Sequence, residues 1–233
     1  MFPLRDRIRS QSIPVMNYAI IAVNVLVYVY ESSLNPIQLD AFLRTFGMVP
    51  AELSLLRPSS WLPLVSSMFL HGSWVHLITN VWTLFIFGDN VEDRMGSARY
   101  LVFYIFSGVI ASLTHAFLTS INYAPTIGAS GAIAAVLGAY FLLYPRARIL
   151  TFVPLFIIPW LIEIPAFIYL GIWFFSQLSQ GFLALGGETG FSGIAWWAHI
   201  GGFVIGWLLA RRYARPREPE VVVLPADDPY RRW

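Results

Sequence analysis

The chain has 233 residues, 57% of them hydrophobic and 12% charged, about half the charged share of a soluble globular domain. That balance points to a membrane protein, and the absence of cysteine excludes disulfides, thiolate catalysis and cysteine-ligated metal. All 15 basic residues are arginine, and the net charge of +2 says less than where those arginines lie.

Residues 1–13 carry Arg5, Arg7 and Arg9 and read as a short cytoplasmic N-terminus. No small-residue cleavage site follows the next apolar stretch, so residues 14–30 read as a retained first span. Residues 31–73 form a long outer segment with many apolar residues, among them Phe42, Phe46 and Leu64. It is expected to sit partly in the outer interface, with Trp61 at headgroup level. A spanning helix needs about 20 mostly apolar residues. Residues 74–87 make a short second span, 100–120 a third, 129–144 a fourth between Pro125 and Pro145, 164–183 a fifth and 193–210 a sixth.

Residues 149–162 are also apolar, but Pro154 and Pro159 interrupt them and Glu163 closes them. Arginine decides whether they cross. Cytoplasmic loops collect basic residues. Six spans put Arg5, Arg7, Arg9, Arg94, Arg99, Arg146, Arg148, Arg211 and Arg212 inside, and only Arg44 and Arg57 outside. A seventh span would place the basic tail outside. The stretch therefore reads as an interfacial or irregular lead-in to the fifth helix. The expected fold is an all-α membrane protein, a six-helix bundle over residues 14–213 with a long outer loop between helices 1 and 2. Residues 214–233 read as a disordered cytoplasmic tail.

Polar residues inside spans are costly and mark candidate sites. His76, Asn80, Ser130 and His199 all fall toward the outer ends of the second, fourth and sixth spans. His76 and Asn80 share a helix face at i, i+4 spacing. Taken alone, each residue also fits a packing role. Gly131, Ala135 and Ala139 form a small-residue stripe on the fourth span, as do Ala134 and Gly138. Ala198, Gly202, Gly206 and Ala210 form another on the sixth. Two bare helices can approach closely, which would bring Ser130 within reach of His199. His115 has no evident partner and reads as a packing residue.

Three groups of residues together resemble the rhomboid family of intramembrane proteases. The first is Ser67-Met68-Phe69-Leu70-His71-Gly72 followed by His76 and Asn80, with Glu92, Arg94 and Gly96 beyond. The second is Gly128-Ala129-Ser130-Gly131. The third is Ala198-His199 with Gly202 and Gly206. The resemblance runs from Pro14 to Arg212. It implies Ser130 as nucleophile, His199 as base, and His76, Asn80 and the Ser130 N–H as oxyanion donors. It also implies that Glu92, Arg94 and Gly96 shape the inner turn, and that the fifth span with the outer loop before His199 gates substrate. A transmembrane substrate helix and the lipid bilayer are the implied partners, with no cofactor, metal or nucleic acid. The implied location is a bacterial inner membrane, both termini inside and the site facing out. No acidic residue lies near His199 in sequence, so a dyad is expected. Two positions depart from the pattern. Ala134 stands where some members carry an aromatic under the base, and Leu62 follows Trp61 where some carry arginine. A non-catalytic binder of transmembrane segments, or a small channel using Glu163, are the competing readings.

Overall fold

The computed structural model describes residues 1–54, 56–155, 158–185 and 194–215. Its central element is α6 (Ser130–Leu143), which is apolar on every side and buries each residue from Ala132 to Tyr140. A helix apolar all round belongs inside a bundle. Against it pack α4 (Trp74–Met95), α5 (Ser97–Leu118), α7 (Ala166–Leu185) and α8 (Trp196–Tyr213), while α1 (Val15–Ser33) packs on α4 and α5. Between α1 and α4 lie α2 (Pro36–Phe46), several 3₁₀ turns and α3 (Pro63–Ser66). An Asn35–Gln38 capping box starts α2.

By length and composition, α1, α5 and α7 can each cross a membrane. The helix α6 is apolar but shorter. The helix α4 runs two turns past its expected end, through Asp89, Glu92, Asp93 and Arg94 to Met95. The helix α8 ends on Arg211 and Arg212.

The all-α expectation needs correction on one side of the bundle. Residues expected as an irregular lead-in form an antiparallel hairpin, β2 (Arg148–Leu155) against β3 (Ile158–Pro165). The N-terminal β1 (Phe2–Asp6) adds to β2, pairing Phe2 with Phe152 and Asp6 with Ile149. Ile149 and Thr151 lie on one face of β2 and are both fully buried. Pro154 and Pro159 pair with each other near the hairpin's tip, where a missing N–H costs least. Glu163, the residue a channel would need, pairs instead with Arg7 across the sheet. The sheet is pinned to the helices by Trp82 Nε1 donating to the Pro3 carbonyl (2.7 Å). Asp6 also accepts from Asn90 Nδ2 (2.9 Å) and from the Tyr140 hydroxyl. Burial pushes the Asp6 carboxyl up to about 6, against the lowering effect of that hydroxyl.

Glu92, Arg94 and Gly96 occupy the α4–α5 junction. Gly96 turns the chain with φ +78, a conformation that favours glycine. Glu92 reaches further than a turn residue. Its carboxylate accepts from the backbone N–H of Met16 (3.0 Å) and Asn17 (2.7 Å), capping the N-terminus of α1, and from the Ser97 hydroxyl. Arg94 binds the Arg215 carbonyl (3.4 Å) and lies over Tyr144. The tail beyond Arg215 and the outer stretch 186–193 lie outside the described residues.

Candidate active site

Two stripes of small residues bring the site together. A Cβ on Gly202 would lie 2.1 Å from the Gly131 carbonyl oxygen, and one on Gly206 would lie 2.0 Å from that of Ala135. A Cβ on Gly138 would lie 2.1 Å from the Phe203 oxygen. The helices α6 and α8 therefore touch backbone to backbone, as the spacing of the stripes predicts.

Ser130 opens α6, one residue after the Ala129 N-cap. Its Oγ lies 2.8 Å from His199 Nε2. The two residues are 69 apart in sequence. The turn before Ser130 is held by Gly128, whose φ of +124 favours glycine and whose N–H donates to the Ser67 carbonyl (2.9 Å). Any Cβ on Gly128 would come within 2.6 Å of the His76 ring and 3.8 Å of Ser130 Oγ. His76 is thus brought beside the candidate nucleophile. A cavity of about 20 Å³ adjoins Ser130, with both polar and apolar lining that includes Ser67, Ser112, Thr126, Met68 and Ala198. That is room for about one water.

Asn80 is linked to this group through His71. Its Nδ2 lies 3.0 Å from His71 Nε2, and the His71 ring is 5.0 Å from that of His76. Burial, and then the neighbouring His76, hold His71 down to about 4. His71 is therefore neutral at physiological pH and can accept from Asn80. The backbone N–H of His71 donates to Glu31 Oε2 (3.1 Å), a carboxyl buried at the end of α1. His115 is buried, and its Nδ1 makes no hydrogen bond among the described residues.

Sequence reasoning missed one residue that touches the pair. His199 Nδ1 lies 2.8 Å from Gln177 Oε1 on α7. Gln177 is a neutral amide on the preceding helix, not an acid close to His199 in sequence. The signal was available, because Gln177 is a buried polar residue inside an apolar span. The aromatic contact absent at Ala134 is supplied from elsewhere. The Trp173 ring centroid is 6.0 Å from that of His199, and the Trp196 ring lies edge-on at 6.1 Å.

Comparison with known proteins places the chain in a family. The sequence-family model described as Rhomboid domain matches residues 58–216. The chain is 27% identical over 168 residues to Rhomboid protein 1, mitochondrial, of Saccharomyces cerevisiae, a match covering 69% of this chain and 45% of the relative. It is 31% identical over 140 residues to the human Presenilin-associated rhomboid-like protein, mitochondrial, covering 59% of this chain and 35% of the relative. It is 38% identical over 74 residues to Rhomboid-like protein 11, chloroplastic, of Arabidopsis thaliana, covering 32% and 26%. The chain spans less than half the length of these curated relatives. Since the domain match takes in more than half of the sequence, the chain belongs to the rhomboid family.

Proposed function

We propose that this chain is an intramembrane serine endopeptidase that cleaves transmembrane or juxtamembrane segments of membrane proteins. The observation that carries the reading is the 2.8 Å contact between Ser130 Oγ and His199 Nε2. An aliphatic hydroxyl is a poor nucleophile without an adjacent base. In the proposed reaction Ser130 Oγ bonds to the scissile carbonyl carbon while His199 Nε2 takes its proton. The same proton passes to the leaving amine as the C–N bond breaks, and water then hydrolyses the acyl-enzyme by the reverse proton path. The oxyanion forms at the N-terminus of α6, where first-turn N–H groups lack intrahelical partners and the helix dipole is positive. His76 and Asn80 add donors there. Each such donor supplies about 3 to 4 kcal/mol of transition-state stabilisation.

The proposal places six spans over residues 14–213, with both termini on the arginine-rich side and the site toward the opposite face. The substrate is a membrane-protein helix that unwinds easily near that face, because a helix hides its carbonyls in its own hydrogen bonds. The chain reads as an integral membrane protein. Relatives named for mitochondria and chloroplasts do not support the bacterial inner membrane expected from sequence.

Co-expression with a reporter membrane protein tests the function. The wild type is expected to cleave it and Ser130→Ala to leave it intact. Equal cleavage by both would reject the assignment and leave a non-catalytic binder of transmembrane segments.

A further inference from the structure

The contact between His199 and Gln177 belongs to a longer chain of hydrogen bonds, and the chemistry of that chain sets its direction. The Ser176 hydroxyl donates to the Trp173 carbonyl at 2.6 Å. Its one proton is then spent, so toward Gln177 it can only accept. Gln177 Nε2 lies 3.0 Å from that hydroxyl and 3.4 Å from the Trp173 carbonyl, which also can only accept. Both neighbours demand a donor, so the amide NH₂ faces them and Oε1 faces the imidazole. An oxygen facing Nδ1 at 2.8 Å requires the proton on Nδ1. A neutral imidazole carries one N–H. Nε2 is therefore a bare lone pair, directed at Ser130 Oγ. The reversed amide would set oxygen against the Trp173 carbonyl and leave the base with its proton on the wrong nitrogen.

We propose that Gln177 is the positioning residue of His199, an uncharged third member that fixes its tautomer and ties the competence of the base to the seating of α7. The inference rests on the protease reading above. Every bond in the chain runs one way: Ser130 to His199, His199 to Gln177, Gln177 to Ser176, Ser176 to Trp173. Bonds aligned in this way polarise one another. Gln177 keeps its acceptor role after proton transfer, because Nδ1–H is present in the imidazole and the imidazolium alike. A neutral amide also avoids the cost of holding a carboxylate inside the membrane. Trp173, Ser176 and Gln177 lie within about one turn of α7. An outward shift of α7 by about 1 Å would stretch the 2.8 Å bond beyond hydrogen-bonding range and release the base.

The test uses the full chain in proteoliposomes with a reporter substrate, together with ¹⁵N-histidine NMR of the ring nitrogens. Gln177→Leu removes the acceptor, and Gln177→Glu keeps one. The expected result for Gln177→Leu is a kcat loss between about tenfold and the ~10⁴-fold that a wrong tautomer costs a soluble triad, with KM within about threefold. Gln177→Glu is expected to keep kcat within about tenfold of wild type. The wild-type spectrum is expected to show His199 as the Nδ1–H tautomer, and Gln177→Leu to lose that signature. A Gln177→Leu protein with wild-type kcat, or a wild-type His199 protonated on Nε2, would overturn the inference. If Gln177→Leu fails to fold, Ser176→Ala gives the second reading, with a smaller kcat loss expected and an unchanged kcat counting against the proposal. Ser130→Ala run alongside separates the two claims. Cleavage surviving that change rejects the protease, while the ring-nitrogen spectrum still decides the tautomer.

Discussion

Substituting Gly202 with alanine tests whether backbone contact between α6 and α8 sets the catalytic geometry. The added Cβ would sit 2.1 Å from the Gly131 carbonyl oxygen, where ordinary contact begins at 3.4 Å. Relieving that overlap along the line between the helices requires about 1.3 Å of separation at this level. Gly131 adjoins Ser130, and Gly202 lies one turn from His199, so most of that movement reaches the Ser130–His199 contact. Their contact would open from 2.8 Å to about 4 Å, past the range of a hydrogen bond. A misplacement of about 1 Å costs on the order of 10²-fold in rate. Overpacking is expected to remove about 1 to 3 kcal/mol of stability as well. The assay is kcat/KM on the reporter substrate, with thermal unfolding in detergent measured in parallel. Gly171→Ala is the control, because nothing lies within 4 Å of its added Cβ; it should leave activity unchanged and stability equal or slightly raised. A folded Gly202→Ala protein within about threefold of wild-type activity would refute the reasoning.

His76→Ala and Asn80→Ala should each lower kcat by about 10² to 10³ with little change in KM, checked by steady-state kinetics, and wild-type kcat in either would remove that residue from the oxyanion site. Asp6 should make stability depend on pH. Its folded pKa of about 6 lies above the ordinary 3.8, so the fold favours the protonated form. That contribution is complete below about pH 4 and is lost as pH rises through 6. Asp6→Asn should therefore gain thermal stability relative to wild type between pH 4 and 7, and parallel curves for the two proteins would contradict the assignment.

Much of this arrangement was legible in sequence because membranes penalise polar side chains. His76, Asn80, Ser130 and His199 stood out against apolar spans for that reason, and the glycine stripes foretold the α6–α8 contact. The hairpin was hidden because its residues are apolar on both faces, so their alternation is weak, and because Pro154 and Pro159 argue against a strand until their pairing at the tip is known. The role of Glu92 was hidden because it caps a helix 75 residues away, and no local pattern reports a contact of that kind. Gln177 is not legible from the surroundings of His199, because it is a neutral amide 22 residues away on another helix. Trp173 and Trp196 likewise replace an aromatic contact whose usual position holds Ala134.

The central claim is that His199 activates Ser130 toward an acyl centre. Treating membranes that contain the full chain with a fluorophosphonate probe, then locating the adduct by mass spectrometry, tests it most directly. The account predicts an adduct on Ser130 that is lost in His199→Ala. Labelling of Ser130 at an equal rate without His199, or labelling at another residue alone, would contradict it.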